Sequence, residues 1–322
     1  MQGRVRRLSR AVAVGGVVAG VAAALACGAR TGIDVPVGLR DGGVAAPDVY
    51  VGRDVYQAPP PGLDCAEEGV TYIYLIDEMI PPNLYAFHPD SCGFDLVGVI
   101  DCPDESSGPF SMAVDHRGVA YSVYGDGNLF RISTKTAACE PTGFVPNQHG
   151  IRSFGMGFVA NVVDGGVSGE TLYVAGDRPS ELATVDLDTF VLTPVGPLGS
   201  VDGIPITYAE LTGTAAGGLF AFFGLPNPLT GVFGPPSYIV HVDPRTGIGL
   251  GGVELPDVVE GQGWAFGFWG GDYYTFTAPP EYGNTTVVTR YRPSDGSIVQ
   301  LCGAPEGVVI VGAGVSTCAP QQ

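Results

Sequence analysis

Leu84-Tyr85-Ala86-Phe87-His88-Pro89-Asp90 is an alternating strand pattern that runs into a polar turn. Alternation bounded by Pro and Asp is typical of a β-strand that ends in a turn. The same shape recurs four times along the chain, at Leu129–Thr134, Leu182–Asp188, Ile239–Arg245 and Val288–Ser294. The first residues of the five segments are 45, 53, 57 and 49 positions apart. This regular interval indicates five copies of one β unit.

Further predicted strands surround each copy of the unit. A small-residue strand and an aromatic strand precede the last four copies, as in Phe110–Asp115 followed by Val119–Tyr124. A short apolar strand comes after, as in Phe94–Ile100 and Ser297–Leu301. Four strands per unit at this interval are typical of a β-propeller blade, whose innermost strands crowd the axis and favour small residues. We therefore predict an all-β fold, a propeller of five four-stranded blades, or of six if one long loop hides a blade.

The two ends of this region complete one blade. The first copy has its second strand at Tyr72–Ile76, but no inner strand precedes it. The chain ends with an unpaired segment, Val308–Ser316, that has the small residues of an inner strand. We predict that the two segments pair, so that the termini close the ring and remove sheet edges that would otherwise aggregate.

The composition agrees with a turn-rich β protein. The 322 residues include 50 Gly and 27 Pro without a G-X-Y period, which excludes collagen and disfavours a helical fold. The formal net charge is -18, and Lys135 is the only lysine. Nucleic-acid binding is therefore not expected, because it depends largely on Lys and Arg that neutralise phosphates.

Residues 1–26 are predicted to be a signal peptide. Arg4, Arg6, Arg7 and Arg10 form a basic region, and the uncharged run Ala11–Ala26 has the length of a secretory apolar segment. The sequence Ala23-Ala24-Leu25-Ala26-Cys27 resembles the lipobox of bacterial lipoproteins, although Ala24 stands where Leu is usual. The resemblance implies cleavage before Cys27 and lipid attachment to it; ordinary signal-peptidase cleavage is the alternative. Removal of four Arg and no acid changes the formal charge from -18 to -22.

We predict that residues 27–62 comprise a lipidated Cys27 and a Pro/Gly-rich tether, and that residues 63–320 form the propeller domain. Pro59–Pro61 should be stiff and extended, which would lift the domain from the membrane. Gly28, in place of Asp after Cys27, favours sorting to the outer membrane. We expect an exported monomer, anchored to the cell envelope by its N-terminal lipid.

Six cysteines remain after Cys27, and an even number in an exported chain indicates up to three disulfides: Cys65, Cys92, Cys102, Cys139, Cys302 and Cys318. Ring closure would bring Cys65 and Cys318 to the same hairpin end, so we predict that pair. A Cys92–Cys102 pair is not expected, because the strand between them would span about 30 Å while bridged Cα atoms lie about 4.4–6.8 Å apart. The other pairings stay open.

The chain carries no catalytic signature. It lacks a G-x-S-x-G nucleophile elbow and a CxxC motif, and its four histidines are dispersed. Acids from different blades could still meet at the channel, as a catalytic pair or as calcium ligands. The polar residues in or beside the predicted inner strands are Asp115, Asn161, Asp202, Glu210 and Glu260. Glu210 is the most unusual, because it lies inside a predicted strand.

Aromatic residues concentrate in the last blade, between Trp264 and Phe276. Half of them should pack between blades, but some could form a platform for a sugar ring. Trp264, Trp269 and Tyr273, together with Glu210, are therefore the predicted ligand-binding residues. A metal site is not defined by the sequence.

The chain after Gly62 resembles bacterial cell-envelope β-propeller lipoproteins in architecture and lipobox. Propellers host unrelated functions, so the resemblance does not specify one. Because the chain carries no catalytic signature, we predict a non-enzymatic module that binds a protein or polysaccharide partner through its loop-lined face. The alternatives are a carbohydrate-binding propeller and a calcium-dependent hydrolase or lyase that uses channel carboxylates. Three or more acids at the channel mouth would favour the enzyme, whereas a dry channel of small residues would favour the binding module.

Overall fold

The computed structural model describes residues 63–103, 107–226, 231 and 233–322. Within them the backbone forms 22 β-strands and two short 3-10 helices, Gln148–Gly150 and Pro280–Tyr282. Twenty strands make five four-stranded antiparallel sheets, and two pair as a small hairpin. The five sheets are the blades of a β-propeller, which confirms the predicted fold class. The predicted signal peptide, Cys27 and the tether lie outside the described residues.

The strands of each blade are given from the inner to the outer position. Blade 1 contains β22 (Ile310–Val315), β1 (Ile73–Asp77), β2 (Asn83–His88) and β3 (Gly93–Val99). Blade 2 contains β4 (Pro109–Val114), β5 (Val119–Tyr124), β6 (Leu129–Ser133) and β7 (Cys139–Pro141). Blade 3 contains β8 (Phe154–Val163), β9 (Gly166–Gly176), β10 (Glu181–Val185) and β11 (Leu192–Pro197).

The hairpin between blades 3 and 4 contains β12 (Ser200–Val201) and β13 (Ile204–Pro205). Blade 4 contains β14 (Glu210–Gly213), β15 (Leu219–Pro226), β16 (Phe233–Val242) and β17 (Gly249–Leu255). Blade 5 contains β18 (Trp264–Trp269), β19 (Asp272–Thr277), β20 (Val287–Arg292) and β21 (Ser297–Gly303).

Blade 1 is assembled from both ends of the domain, as the sequence predicts. β22 pairs antiparallel with β1, with Ile73 opposite Val315 and Ile76 opposite Gly312. The last strand of the chain therefore supplies the inner strand that the first copy lacks.

The five inner strands contact one another around a closed ring in the order β22, β4, β8, β14 and β18. Small residues allow this close approach. A Cβ atom on Gly155 of β8 would lie 2.0 Å from the backbone oxygen of Ala209, beside β14. β14 begins at Glu210, later than the predicted Tyr208, because Tyr208 has a φ of 51° that is incompatible with a strand. Glycine at position 155 therefore allows β8 to pack against the backbone next to β14.

Five hydrophobic clusters stabilise the ring, one between each pair of neighbouring blades. The cluster between blades 1 and 5 shows the packing, since Phe87 and Phe276 meet edge to face with their ring centroids 5.2 Å apart. A blade with apolar side chains on both faces of its sheet buries them in this way against the two neighbouring blades. Burial of both faces explains why the middle strands contain few charged residues.

Three disulfides join the six cysteines, and all three involve blade 1 or its closure. Cys65 pairs with Cys318, as predicted, with a Cα–Cα distance of 5.9 Å. The other pairs are Cys92–Cys302, which links blade 1 to blade 5, and Cys102–Cys139, which links the chain after β3 to blade 2. Cys92 and Cys102 do not pair with each other, also as predicted. Three disulfides indicate an extracellular or periplasmic protein.

The C-terminal residues lie over the end of the ring at which the inner strands finish, here called the tail end. Gly270 of blade 5 donates a backbone hydrogen bond to Pro320 O at 2.8 Å. Ala215 of blade 4 donates to Gln321 Oε1 at 3.0 Å. Of the residues that the structure describes, none belongs to a helix that could cross a membrane.

Candidate functional site

A cavity of about 150 Å³ opens at the other end of the ring, where the inner strands begin. We call it the mouth cavity. Its lining comes from the first residues of inner strands and from the loop before β18: Pro109, Phe110, Glu210, Gln262, Gly263, Trp264 and Val311. Because four of the five blades contribute, the cavity exists only in the closed ring.

Glu210 is the only ionisable residue of the lining. It is 2% exposed, and its Oε2 accepts a hydrogen bond from Ser111 Oγ at 2.7 Å. Ser111 Oγ in turn accepts a hydrogen bond from Met156 N at 3.2 Å. Ser111 lies on β4 and Glu210 on β14, with β8 between them in the ring, so this hydrogen bond joins strands that are not neighbours.

The environment of Glu210 favours the protonated carboxyl. Burial raises its pKa well above the ordinary value, the hydrogen bond from Ser111 acts in the opposite direction, and the charge of Glu260 raises the pKa further. Desolvation of a carboxylate is costly unless a partner compensates for it, and a hydroxyl group is a weak partner for a charge.

Glu260 is a second buried carboxyl, in the loop before β18. It is fully buried, and its Oε1 accepts a short hydrogen bond from Gly224 N. Its Oε2 has no hydrogen-bond partner among the described residues. Burial raises the pKa of Glu260 to about 8, against a smaller opposing effect of the Gly224 N–H. A Cβ atom on Gly224 would lie 3.0 Å from the Glu260 carboxyl carbon, so a larger residue there would crowd this carboxyl group.

An arc of aromatic side chains extends from the mouth cavity toward blade 3. The rings of Trp264 and Phe233 have centroids 5.2 Å apart, and Phe233 meets Tyr208 edge to face at 5.6 Å. Arg178 ends the arc, donating a hydrogen bond from Nη2 to Tyr208 Oη at 2.7 Å. Tyr208 has the left-handed φ noted above, a conformation that is rare for aromatic residues and is often found at functional sites.

The structure brings two of the four predicted ligand-binding residues together, since Glu210 and Trp264 both line the mouth cavity. Trp269 lies at the other end of β18, where its Nε1 donates to Thr71 O at 2.6 Å. Tyr273 is buried and lines a separate apolar cleft of about 200 Å³ between blades 4 and 5, beside Phe220 and Tyr291. Phe110 and Gln262 were not predicted as site residues, because no local sequence pattern distinguishes them.

The other acidic and amide candidates do not converge on the mouth. Asp115 accepts hydrogen bonds from Arg117 N and Val119 N within its own turn. Asn161 accepts one from Thr171 Oγ1, and Asp202 is an exposed turn residue. In the described part of the chain, no three His, Cys, Asp or Glu side chains are grouped so as to hold a metal ion.

A polar cluster at the tail end ties the termini to the ring. Glu170 Oε1 lies 2.8 Å from His116 Nδ1, and Glu170 Oε2 accepts a hydrogen bond from Thr317 Oγ1 at 2.6 Å. His116 O accepts a hydrogen bond from Ala66 N at 3.0 Å. Because these contacts connect blades 1, 2 and 3 with the segments next to the Cys65–Cys318 disulfide, the cluster is explained by ring closure.

No family model matches the chain, and no curated protein matches it. Solved structures that match include the crystal structure of a nidogen/laminin complex, at 12% identity and a TM-score of 0.46, over 75% of this chain and 97% of that one. A structural genomics protein of unknown function from Bacteroides thetaiotaomicron matches at 11% identity and a TM-score of 0.44, over 78% of this chain and 66% of that one. Kuenenia stuttgartiensis hydrazine synthase matches at 12% identity and a TM-score of 0.39, over 78% of this chain and 69% of that one. The fold assignment rests on the strand pairing described above.

Proposed function

We propose that this chain is an exported β-propeller, anchored to the cell envelope through a lipid on Cys27, that acts as an interaction module and binds its ligand in the mouth cavity. The lipobox-like sequence supports the anchor, and the three disulfides support export. The Pro-rich segment before the domain supports a spacer role.

One observation carries the proposal. The mouth cavity combines a buried carboxyl, Glu210, with an aromatic wall, Trp264, at the one end of the ring that the C-terminal residues do not cover. Ligand sites are typically concave and apolar with a few placed polar groups, which describes this cavity.

A carbohydrate ligand is the second candidate, and Trp264 with Phe110 supports it. Both side chains are half-buried and line the cavity, so a sugar ring could stack on one of them while the Glu210 carboxyl hydrogen-bonds its hydroxyl groups. The hydrolase alternative has less support. A carboxylate pair must flank the substrate bond on both sides, whereas Glu260 is fully buried and does not line the cavity.

The test is to fill the mouth cavity without disturbing the core. Gln262 is exposed and lines the cavity, so Gln262→Trp should block it. Gln322→Trp is the matched control, because Gln322 is exposed at the C-terminus. The full-length lipoprotein and both variants are assayed against separated envelope protein and envelope polysaccharide fractions. We expect Gln262→Trp alone to lose binding. Equal binding by wild type and Gln262→Trp would show that the mouth cavity is not the site.

A further inference from the structure

We propose that the mouth cavity binds an organic cation, an alkylammonium group, held between the Glu210 carboxylate and the aromatic face of Trp264. The inference rests on the proposed function and names the chemistry of its ligand. Such a group could come from a lysine side chain of a partner protein or from a small amine, and the experiment below separates the two sources.

The buried carboxyl groups at and near the cavity have no cationic partner among the described residues. No Lys or Arg stands among the seven lining residues. None of the ion pairs formed within the described residues includes Glu210 or Glu260. Arg178, at the far end of the aromatic arc, donates its hydrogen bonds to Tyr208. Two buried carboxyls without a counter-ion must either keep their protons or be neutralised by a cation from outside.

The walls of the cavity select an organic cation over a metal ion. Calcium takes about six to eight oxygen ligands, and magnesium requires near-octahedral oxygen coordination. The cavity offers the Glu210 carboxyl and the Gln262 amide beside Phe110, Trp264 and Pro109, which supply no side-chain oxygen. An ammonium group gains from a tryptophan face as well as from a carboxylate, and its alkyl stem packs on apolar walls.

The net charge of the whole chain also favours a cationic ligand. After removal of residues 1–26 the formal net charge is -22, from the -18 of the full chain less four Arg. The single lysine, Lys135, pairs with Glu68 at 2.9 Å. A field of this sign attracts cationic groups and repels anionic ones before contact.

The pH dependence distinguishes an ammonium ligand from a sugar. Binding an ammonium group to Glu210 expels the carboxyl proton, so cation affinity rises with pH, by up to about tenfold per unit, until the pKa is passed. A sugar that accepts a hydrogen bond from the protonated carboxyl would bind less tightly as the pH rises. Glu260 is the titratable group that acts on Glu210. Ser111 of β4, Met156 of β8 and Trp264 of β18 carry no ionisable group.

Tryptophan fluorescence gives a direct readout, because Trp264 and Trp269 are the only tryptophans. The probes are butylammonium, the peptide Gly-Gly-Lys-Gly with blocked termini, butanol as a neutral isostere and methyl glucoside. They are titrated into the full-length lipoprotein between pH 6 and pH 8. Glu210→Gln preserves shape and removes the charge, and Glu254→Gln is the control, because Glu254 is an exposed glutamate on β17.

We expect butylammonium to bind more tightly than butanol, with affinity that rises from pH 6 to pH 8. Glu210→Gln should weaken it about tenfold or more, and Glu254→Gln should change it by less than about twofold. Tighter binding of the lysine peptide would assign the group to a protein partner, and tighter binding of butylammonium to a small amine.

The inference would be overturned by ammonium binding that is insensitive to Glu210→Gln, or by methyl glucoside binding that weakens with pH while butylammonium does not bind. Those results leave the proposed function intact if Gln262→Trp still abolishes binding of the envelope fractions. The two ideas therefore fail separately.

Discussion

Cys65 and Cys318 are 253 positions apart in the chain and are joined by a disulfide that fastens the first residues of the propeller to the end of its last strand. This disulfide stabilises the blade that is assembled from the two ends of the domain. Blade 1 is the only blade of the described structure whose strands come from both ends of the domain, so its β1–β22 pairing could open without any other strand separating. The Cys92–Cys302 disulfide holds the same blade to blade 5. Disulfides therefore reinforce the closure of the ring, which would otherwise depend on strand pairing alone.

Removal of the closing disulfide should destabilise the whole ring. The double variant Cys65→Ser/Cys318→Ser avoids a free thiol, and we expect it to lose roughly 2–5 kcal/mol of unfolding free energy because a long loop is released in the unfolded chain. Thermal and denaturant unfolding measure the loss. Serine has nearly the size of cysteine, and Ser168→Ala in an exposed hairpin is a control for substitution itself. Unchanged stability of the double variant would mean that strand pairing closes the ring by itself.

The architecture could be predicted from the sequence because it repeats. Five copies of one pattern fix the number of blades, and the missing inner strand before Tyr72 matches the surplus segment Val308–Ser316. The Cys65–Cys318 pair follows from that match. The remaining disulfides could not be predicted, because they depend on which outer strands of neighbouring blades approach one another, as at Cys302 in β21.

The site was less predictable, for geometric reasons. Trp264 and Trp269 belong to one aromatic cluster in the sequence, yet they lie at opposite ends of β18 and an odd number of residues apart. Side chains separated by an odd number of residues point to opposite faces of a strand, so only Trp264 reaches the cavity. Glu210 was distinctive as an acid in a strand. Its partner Ser111 lies 99 positions away, a contact that no local pattern indicates.

The lipid anchor can be tested separately from the fold. We expect Cys27→Ser to abolish diacylation and to move the protein from the membrane fraction to the soluble fraction, because two or more acyl chains are needed for stable anchoring. Intact mass and fractionation of the expressed full chain measure the two effects. Ser168→Ala, an exposed substitution in the domain, is the control. A wild-type protein that is soluble, with the mass of an unmodified chain, would favour ordinary signal-peptidase cleavage.

Calcium should not stabilise the domain. The mouth cavity supplies too few oxygen ligands, and the described residues hold no group of three metal-ligating side chains. A ligand that binds only the native state raises the melting temperature by mass action. We therefore expect no rise in the melting temperature with calcium up to millimolar concentrations, measured on the chain lacking residues 1–26. A rise that chelation reverses would instead support a metal-dependent activity.

Glu260 should make the protein less stable as the pH rises. Its pKa is about 8 in the folded protein and close to 4.5 in the unfolded chain, so the folded state binds the extra proton between those values. The associated stability is complete below about pH 4.5 and is lost as the pH rises toward 8, by up to roughly 4–5 kcal/mol. Burial raises the pKa of Glu210 and of Glu170 too, which acts in the same direction.

Glu260→Gln removes this titration while retaining an oxygen that can accept the hydrogen bond from Gly224 N. Unfolding free energy measured in urea between pH 5 and pH 8 should therefore fall less steeply in Glu260→Gln than in the wild type. The comparison uses the slope with pH, since the new amide group adds a constant cost of its own because it meets no acceptor at the Oε2 position. The exposed Glu254→Gln should keep the wild-type slope. If Glu260→Gln also keeps it, Glu260 does not titrate with a raised pKa and is already ionised in the folded protein across this pH range.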